Sequence, residues 1–478
     1  MTWETVIGLE THVELATKTK IFCSCTTQFG GEPNTHCCPV CTGMPGTLPV
    51  LNQAVLEYAV KAGLALGCEI SKYTKFDRKN YFYPDLPKAY QISQLYLPIC
   101  QNGAVPIRTP DGREKTVRIH EIHMEEDAGK LIHDPWIDQT RCDYNRCGVP
   151  LIEIVTEPDF RTGEEVIAYL EKLRSTLQYL GVSDCKMQEG SLRCDVNLSV
   201  RPAGSQELGT RTEMKNLNSF KAIARAIDYE AKRQIELIEE GKRVVQETRR
   251  WDENKDATYS MRSKENAQDY RYFPEPDIPP VELTDEYLDA LRAAQPELAE
   301  AKRERYTAQY GLPAYDAEMI TGNKALADFF ESAVAQGAEP KQVANWIMGE
   351  VMRRLSADAL EPKDLPLSPT TLVRLITLVK QGSLNRNTAV KVFDAVFADD
   401  GDVDAYVAAH GLEQVSDAGV VRAAVEQVFA ENPKSVEDYK AGKQKAFGFL
   451  VGQTMKALKG QAAPQVVNQT IREMLEGL

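Results

Sequence analysis

The chain has 478 residues, of which 26% are charged, and its formal net charge is −14. This length exceeds what one hydrophobic core supports, so we expect roughly two to four domains. The negative net charge argues against a protein that coats nucleic acid non-specifically, but it allows a local basic face. No apolar run approaches the ~20 residues that span a bilayer.

The N-terminal sequence and the cysteine content indicate the compartment. The opening sequence MTWETVIGLETHVEL lacks the basic and apolar regions of a signal peptide, so we expect a cytoplasmic protein. A reducing cytoplasm disfavours disulfides, and the chain has eleven cysteines. A cluster of cysteines in such a protein indicates either metal binding or a chemical role for the thiols.

Residues 3–15 are expected to form the first strand, because polar and less polar side chains alternate there. Glu10, His12 and Glu14 would then share one face of the strand. A carboxylate and an imidazole two residues apart on a strand can reach one metal ion. The alternative is an exposed polar strand face, which is the more common arrangement for any single pair.

A cysteine-rich segment follows, which we call the cysteine hook (residues 23–41). It contains a C-x-C pair and a C-x2-C pair, separated by twelve residues that include glycine and proline: Cys23, Cys25, Cys38 and Cys41. Four thiolates in two short hooks match a tetrahedral zinc site with no open position, so the predicted role is structural. His36 and Cys37 are possible substitute ligands, and the alternative is a set of free thiols.

Residues 51–66 have helical apolar spacing and end at a glycine. The next segment, FDRKNYFYPDLPKAYQISQ (residues 76–94), mixes tyrosines, prolines and basic residues without periodicity. Arg78, Lys79 and Lys88 could face phosphate, and the tyrosines could stack on a base. The alternative is an aromatic-rich loop that packs on a sheet.

Residues 118–159 carry the densest group of acids and imidazoles. In an extended chain His123, Glu125 and Asp127 share one face, and Glu153 and Glu157 share a face of the next run. Packed carboxylates repel one another unless something positive lies among them, and divalent cations prefer oxygen ligands. The pattern favours a divalent metal site, and the alternative is a solvated sheet edge.

An amphipathic helix is predicted over 161–181, and two further strands then repeat the polar pattern. SLRCDVNLSV places Arg193, Asp195 and Asn197 on one face, and TRTEMKNLNSF places three more charged residues on one face: Arg211, Glu213 and Lys215. Several such faces in one domain predict one polar concavity that takes metal and phosphate. Further basic residues follow, and each is compatible with phosphate binding or a solvated surface: Arg249, Arg250, Arg262, Lys264 and Arg271.

The remainder of the chain is predicted to be helical. Apolar spacing near 3.6 residues covers 287–304, 323–336, 340–355 and 368–381, and an acidic linker follows at 399–404. From residue 434 onward seven basic residues face four acidic ones. This tail could grip an RNA backbone through Lys440, Lys443, Lys445, Lys456 and Lys459, although a solvated helical tail is the alternative.

No P-loop, dinucleotide-binding glycine motif, nucleophile elbow or glycine/serine-rich amidase loop occurs in the sequence. Taken together, the ordered motifs GLETHVEL, CPVC, DRKNYFYPDLPKAYQISQ, HMEEDAGK, CDYNRCGVPLIEIVTEPD, LRCDVNLSVR, EMKNLNSF and YRYFPEPDIPP closely resemble the B-subunit family of bacterial aspartyl/glutamyl-tRNA(Asn/Gln) amidotransferases (the GatB family). The resemblance covers the whole chain. It departs at Thr11 and Ala89, neither of which is a proposed ligand.

The resemblance implies an α+β fold: a mixed or antiparallel "cradle" catalytic domain at 1–292, a helical domain at 293–405 and a basic helical tRNA-binding tail at 406–478. It also implies ATP-dependent phosphorylation of the side-chain carboxylate of Glu-tRNA(Gln) or Asp-tRNA(Asn), followed by amidation with ammonia. The ammonia would come from an amidase (A) subunit, in a heterotrimer with a small C subunit. The implied cofactors are ATP, Mg²⁺ and a structural Zn²⁺ at the cysteine hook.

The roles carried over from the family rest on matching residues. Glu125 and Lys79 are the expected catalytic residues, and the expected contacts with ATP or substrate are Arg78, Lys88, Arg211 and Lys215. The expected magnesium ligands are Glu10, His12, Glu125, Glu213, Asp195 and Glu153. The competing hypothesis is a zinc-containing tRNA-binding scaffold without a catalytic site, which would not need acids packed among basic groups.

Overall fold

The computed structural model describes residues 2–134, 136–263, 269–413, 418–441, 443–458, 462 and 464–476. Lys264 and Lys459 lie outside these ranges, and the side chain of Arg262 is likewise not described. The chain divides into two compact units, Met1–Leu298 and Ala299–Leu478. None of the described helices combines the length and hydropathy that crossing a membrane requires.

The first unit is built on a large sheet. Its strands are β1 (Trp3–Glu14), β2 (Glu69–Ile70), β3 (Tyr73–Thr74), β4 (Asp77–Asn80), β5 (Tyr90–Ser93), β6 (Cys100–Arg108), β7 (Glu114–Glu126), β8 (Lys130–His133), β9 (Thr140–Asp143), β10 (Pro150–Thr156), β11 (Leu192–Pro202), β12 (Thr212–Lys215), β13 (Glu247–Asp252), β14 (Ala257–Ser263), β15 (Phe273–Pro274) and β16 (Val281–Glu282). Its helices are α1 (Gln53–Ala65), α2 (Gly163–Leu180), α3 (Phe220–Glu239) and α4 (Asp285–Ala293).

In the described part of the chain the main sheet has nine strands in the order β14-β13-β12-β11-β1-β10-β7-β6-β2. Its strand pairs are antiparallel except for β12 with β13, which are parallel. Smaller sheets join β15-β4-β5, β16-β3 and β8-β9. The predicted first strand and the strands around 192–200 and 212–215 are confirmed.

Helices α1, α2 and α3 cover one face of the main sheet. Val60, Leu173 and Ile223 from these helices join Leu9, Ile152 and Val196 from the strands in one hydrophobic core. The predicted helices over 51–66 and 161–181 are confirmed within about two residues. At α2 the Thr162 hydroxyl caps the N-terminus, and Gly181 ends the helix at φ 70, a conformation that favours glycine. The opposite face of the sheet is left to polar side chains.

A β-bulge in β7 decides which residues reach that polar face. Val155 lies opposite Glu121 and Thr156 lies opposite Ile119, which leaves His120 as an extra residue. Ile119 before the bulge and Ile122 after it are both fully buried, although strict alternation would place them on opposite faces. The bulge therefore resets the alternation and directs His123 and Glu125 to the polar face.

The second unit is helical. Its helices are α5 (Ala299–Tyr310), α6 (Ala314–Thr321), α7 (Lys324–Ala335), α8 (Pro340–Trp346), α9 (Met352–Ala357), α10 (Pro369–Lys380), α11 (Arg386–Val396), α12 (Val403–Ala409), α13 (Ala418–Glu431), α14 (Pro433–Lys440), α15 (Gln444–Ala457) and α16 (Pro464–Glu476). A π-helical turn, Ile347–Val351, joins α8 to α9. One core cluster spans residues 306–407 and a second spans residues 421–475.

The α+β class is confirmed, and two local predictions are corrected. The single helix predicted over 287–304 is wrong: α4 ends at Ala293 and α5 begins at Ala299, with Pro296 between them. Proline lacks the amide hydrogen that a continuing helix needs. The acidic linker is shorter than 399–404, because Asp402 caps α12 and Asp404 pairs with Arg374 within the fold.

The predicted domain boundaries can be compared with the division after residue 298 and with the two helical core clusters. The predicted boundary between 405 and 406 falls inside α12, whose Val407 is buried in the first helical core cluster. The predicted boundaries at 292 and 405 otherwise stay predictions.

Replacing Leu173 by alanine should lower the free energy of unfolding by about 2–5 kcal/mol, because a fully buried leucine in α2 would leave a cavity against the sheet. Urea denaturation of the full chain, followed by circular dichroism, measures this change. Glu171→Ala, on the exposed side of the same helix, is the control and should shift stability by less than about 0.5 kcal/mol. Equal effects of the two variants would contradict the packing of α2 on the sheet.

Candidate active site and metal centres

The polar face of the main sheet gathers acids and bases from neighbouring strands. The central strand β1 pairs with β10 on one side and β11 on the other. Its His12 lies opposite Glu153, which in turn lies opposite His123 of β7. Its Glu10 lies opposite Asp195 of β11. Because residues directly opposite in a sheet point to the same face, these side chains converge.

The first cluster consists of His12, Glu125 and Glu153. The His12 Nε2 atom lies 3.6 Å from Glu125 Oε1 and 3.4 Å from Glu153 Oε2. One ligand atom from each residue lies within 4.8 Å of the others, so the three could hold one metal ion. The structure thus brings together three of the predicted ligands from three strands.

Charge balance within this cluster shifts the ordinary protonation of its groups. Burial would lower the pKa of His12, but the Glu153 and Glu125 carboxylates raise it above its usual value. Burial would raise the pKa of Glu153, but the imidazoles of His12 and His123 hold it well below its usual value. Without a metal ion, the imidazoles therefore supply the positive charge that the carboxylates need.

The second cluster consists of Glu10, Asp195 and Glu213, which also have ligand atoms within 4.8 Å of one another. Lys215 contacts the Asp195 carboxylate, and its Nζ lies 3.1 Å from Glu213 Oε1. Burial, followed by the charge of Glu153, raises the pKa of Glu10 above its usual value. Three carboxylates form an oxygen donor set that suits Mg²⁺, so these residues fit the ion.

Two neutral side chains orient the second cluster, and sequence reasoning did not single them out as ligand-positioning groups. Asn197 donates from Nδ2 to Glu10 Oε1 at 2.8 Å. The Thr248 hydroxyl donates to Glu213 Oε2 at 2.7 Å. Each donor fixes one oxygen of its carboxylate, and the other oxygen of Glu213 faces Lys215 Nζ. Thr248 lies on β13, which is adjacent to β12 only in the folded sheet.

Lys79 lies beside the first cluster. It is on β4, and its Nζ lies 5.0 Å from the centre of the Tyr270 ring. Burial would lower the pKa of Lys79, but the charges of Glu125, Tyr272 and Glu153 raise it above its usual value. The charge of Glu125 therefore favours the cationic form of Lys79, so the two expected catalytic residues influence one another electrostatically.

Arg78 and Lys88 are placed differently from the phosphate-facing positions that the sequence suggested. The Arg78 Nε donates to Glu275 Oε2 at 2.6 Å, and its guanidinium stacks 4.2 Å from the Tyr90 ring centre. Lys88 pairs with Glu126, which also accepts a hydrogen bond from the backbone of Ile92 at 2.9 Å. Both cations already have carboxylate partners, so neither joins the two metal-ligand clusters.

The other predicted basic contacts also differ in exposure. Arg211 precedes β12 and its side chain is exposed, as are those of Arg250 and Arg271. Arg249 is buried and contacts Glu247, with its Nε 3.4 Å from Glu230 Oε2. The hypothesis that Arg249 binds phosphate is therefore corrected: it belongs to a buried ion-pair network under β13.

Glu14 and Asp127, which the sequence placed on the predicted polar strand faces, form a further acid pair at the end of the polar face. The Asp127 carboxylate accepts from Arg193 Nη2 at 2.6 Å and lies 3.5 Å from Arg146 Nε. Burial, followed by the charge of Asp127, raises the pKa of Glu14 to about 8. Glu157, predicted to share a face with Glu153, lies beyond the end of β10 and contacts His120 at 3.0 Å.

The cysteine hook brings its four predicted sulfurs together. Sγ atoms of Cys23, Cys25, Cys38 and Cys41 lie within 4.8 Å of one another, so the cluster could hold a metal ion. A hydrogen bond with Cys23 lowers the pKa of Cys41 to about 4, and burial raises the pKa of Cys25 to about 11. Four sulfurs with no carboxylate among them are a donor set typical of structural zinc.

The proposed substitute ligands point away from this cluster. The His36 Nδ1 lies 3.1 Å from the Gln28 carbonyl oxygen, and Cys37 Sγ lies 3.3 Å from the Asn34 carbonyl oxygen. Asn145 Oδ1 accepts from the His36 backbone at 2.8 Å and anchors the hook to the loop after β9. The geometry therefore favours the four-cysteine set over a mixed one.

The hook also approaches Lys88 across a cavity of about 100 Å³, lined by residues that include Phe22, Gly43 and Tyr90. At Gly43, which has φ 68, an added Cβ would lie 2.4 Å from Lys88 Cγ. Glycine is required there by both its backbone conformation and this close approach. Val40 of the hook and Gly43 just after it thus form part of the wall around Lys88.

The chain matches two known protein-family models. The GatB/GatE catalytic domain family matches residues 5–289, and the GatB domain family matches residues 328–475. The chain belongs to the GatB family.

Curated relatives cover almost the whole length of this GatB-family chain. A protein of Lachnoclostridium phytofermentans is 64% identical over 473 residues, 99% of each chain, and one of Lachnospira eligens is 61% identical over 480 residues, also 99% of each. A Caldicellulosiruptor saccharolyticus protein is 59% identical over 479 residues and the full length of both. Each of the three is named as the B subunit of an aspartyl/glutamyl-tRNA(Asn/Gln) amidotransferase. The resemblance inferred from the motifs is confirmed.

Binding of a divalent cation to the His12 cluster should weaken as the pH falls. A proton on His12 must leave before Nε2 can ligate a metal ion, and the raised pKa of His12 keeps that proton bound to a higher pH than usual. We expect the Mn²⁺ affinity of this cluster to fall by about tenfold for each pH unit below that pKa, as measured by electron paramagnetic resonance. His12→Asn should weaken binding and flatten this dependence. A wild-type affinity that is constant from about pH 8.5 to about pH 6 would exclude His12 as a ligand.

Proposed function

We propose that this chain is the B subunit of a tRNA-dependent amidotransferase that activates and amidates the side-chain carboxylate of Glu-tRNA(Gln) or Asp-tRNA(Asn). The observation that carries the proposal is the pair of carboxylate clusters, each with a lysine beside it, on one face of the main sheet. A scaffold protein has no need to hold half-buried carboxylates whose ligand atoms lie within 4.8 Å of one another. The names of the relatives support the same substrate class.

The chemistry has two steps. A carboxylate is a poor acyl donor, because its negative charge repels a nucleophile and oxide is a poor leaving group. In the first step a carboxylate oxygen of the substrate attacks the γ-phosphorus of ATP, and ADP leaves. In the second step ammonia attacks the activated carbonyl carbon, phosphate leaves with the C–O bonding electrons, and the ammonium loses a proton to give the amide.

The residues of this face suit phosphoryl transfer, which depends mainly on positioning and charge neutralisation. Lys79 presents a cation beside Glu125, where it can meet the negative charge that develops on transferred phosphoryl oxygens. Lys215 occupies the corresponding position beside Glu213 and Asp195. Arg211 is exposed next to β12 and is a further proposed contact for the nucleotide or the tRNA end.

The metal assignments follow from the donor sets. His12, Glu125 and Glu153 would hold one Mg²⁺, and Glu10, Asp195 and Glu213 a second. Magnesium, when bound, would neutralise the phosphate oxygens of ATP and of the phosphorylated substrate. The four cysteines of the hook would hold a structural Zn²⁺ that stabilises the wall around Lys88.

The partners follow from the same chemistry. Ammonia would come from a separate amidase (A) subunit, in a heterotrimer with a small C subunit, because this chain lacks an amidase loop. Such a complex acts where translation takes place, so we propose a cytoplasmic location. The helical second unit would bind the tRNA body, with the exposed lysines of α14 and α15 facing its backbone.

The decisive experiment measures ATP cleavage by this chain reconstituted with its amidase partner. Glu-tRNA(Gln) is supplied or withheld, and glutamine is withheld throughout. Cleavage that requires the misacylated tRNA but not ammonia would support carboxylate phosphorylation in the complex. If no tRNA-dependent cleavage occurs, the zinc-containing scaffold hypothesis gains support.

Glu125→Gln should reduce tRNA-dependent ATP cleavage by at least about 100-fold while leaving tRNA affinity within about twofold. The amide keeps the shape of the side chain but removes the charge that ligates metal and faces Lys79. Glu114→Gln, on the exposed start of the same strand, is the matched control and should retain full activity. Full ATP cleavage by Glu125→Gln would show that Glu125 is not in the active site.

Removal of residues 414–478 should weaken tRNA binding while ATP turnover at saturating tRNA persists. The truncation leaves the core cluster of residues 306–407 intact, including Val407, and removes the separate cluster of residues 421–475. Filter binding at several salt concentrations should give a shallower dependence of affinity on salt than the full chain, since phosphate contacts are lost. An unchanged salt dependence would place tRNA binding elsewhere.

A further inference from the structure

A buried lysine lies directly beside the cysteine hook. Lys20 follows β1 and is completely buried. Its backbone N–H donates to the Cys25 carbonyl oxygen at 3.0 Å, which ties the residue to the first half of the hook. Its Nζ donates to the His36 carbonyl oxygen at 2.7 Å and lies 3.6 Å from the Cys41 sulfur, both in the second half. One residue therefore contacts both halves of the hook.

The ammonium of Lys20 has no carboxylate within ion-pair distance among the residues that the structure describes. A buried cation without a counter-charge is strongly unfavourable, and buried lysines are normally paired with acids. A peptide carbonyl such as that of His36 supplies a dipole but no net charge. The nearest group that can carry a negative charge is the sulfur of Cys41.

The Cys41 sulfur is the one that receives most donors in the hook. Besides Lys20 Nζ, the backbone N–H of Cys38 donates to it at 3.2 Å. Both donors point at one sulfur, and amide-to-sulfur hydrogen bonds are typical of outer-shell support around a metal ligand. Four thiolates around one divalent zinc ion carry a net charge of −2, which the Lys20 ammonium would reduce to −1.

The packing around Lys20 holds its side chain in this position. At Gly148 an added Cβ would lie 3.4 Å from Cys41 Cβ and 3.6 Å from Lys20 Cδ. The neighbouring Ile21 N–H donates to the Gly148 carbonyl oxygen at 2.9 Å. The stem of the lysine is thus enclosed between the hook and the loop that precedes β10, and the ammonium cannot turn outward to solvent.

We propose that Lys20 is a positioning residue of the zinc site, whose buried ammonium neutralises part of the charge of the four-thiolate centre and so sets its metal affinity. This inference rests on the zinc assignment of the hook and is independent of the amidation chemistry. The metal-loaded hook gains more from the cation than the metal-free hook, because the loaded centre carries more negative charge. Lys20 should therefore matter chiefly when metal is bound.

The test compares Lys20→Met with Lys18→Met in the full chain. Methionine matches the lysine stem without its charge, and Lys18 is an exposed lysine two residues away. Zinc affinity is measured by competition with a chromophoric chelator, and the hook is also loaded with Co²⁺ to record the thiolate-to-metal charge-transfer band. We expect Lys20→Met to bind zinc about 10- to 100-fold more weakly, as for other outer-shell substitutions, and Lys18→Met to equal the parent chain.

A second measurement separates charge from simple packing. Thermal unfolding is followed with and without zinc, and the rise in melting temperature caused by zinc should be smaller in Lys20→Met than in the parent. The metal-free variant should lose less stability than the zinc-loaded variant, each relative to the parent chain in the same state, because the metal-free hook carries less negative charge for Lys20 to balance. A purely structural lysine would instead destabilise both forms equally.

The outcomes are distinct. A parent chain that holds no zinc would remove the metal assignment of the hook, and the inference with it, without bearing on ATP cleavage. A parent that holds zinc and a Lys20→Met chain with the same affinity within about twofold would overturn the role of Lys20 alone. If Lys20→Met does not fold, Lys20→Gln is compared with Lys18→Gln by the same two measurements and the same criteria.

Discussion

The repulsion between carboxylates on one face of the main sheet is the interaction on which this structure depends. Glu10, Glu153 and Glu213 come from three different strands, and each lies near another acid. Such a group is stable only if positive charge is distributed among its members. In one cluster the positive charge comes from imidazoles, and in the other it comes from Lys215. In either cluster a divalent ion could supply the same positive charge. The imidazoles and Lys215 are groups that a bound ion could displace, as the proposed magnesium sites require.

Buried or half-buried acids elsewhere in the first unit are also balanced by basic side chains. Arg193 balances Asp127 at the end of the polar face, Arg249 balances Glu230 and Glu247 beneath it, and Lys88 balances Glu126 beside the hook. Beside the hook, Lys20 Nζ donates to the His36 carbonyl oxygen and lies 3.6 Å from the Cys41 sulfur. Chemically similar charged side chains therefore differ in their surroundings. Some form a fixed ion pair with one opposite charge, and others lie beside a cluster that could bind a ligand.

Sequence patterns predicted which acids and cysteines lie together better than they predicted the positions of the basic residues. The six expected magnesium ligands fall into two groups of three, and the four expected zinc ligands form a third group. Acids and imidazoles that alternate on strands are unusual enough to be noticed, since such positions are ordinarily apolar. Arginine and lysine are common on surfaces, and nothing local distinguishes Lys79, beside the cluster, from Arg78, which is paired with Glu275. Their alternation on β4 sends the two side chains to opposite sides, and the partner on each side comes from a distant part of the chain.

The sequence by itself determined the α+β class, the family, the helical second half and the identity of the candidate ligands, because periodicity and motif spacing are local properties. The tertiary structure alone decided which candidate ligands lie together, through the order β12-β11-β1-β10-β7 and the bulge at His120. It also decided that Thr248 and Asn197 orient carboxylates and that Lys20 faces the sulfur of Cys41. These facts depend on which strands and loops become neighbours, and pairing between segments far apart in the chain leaves no periodic signal in either segment.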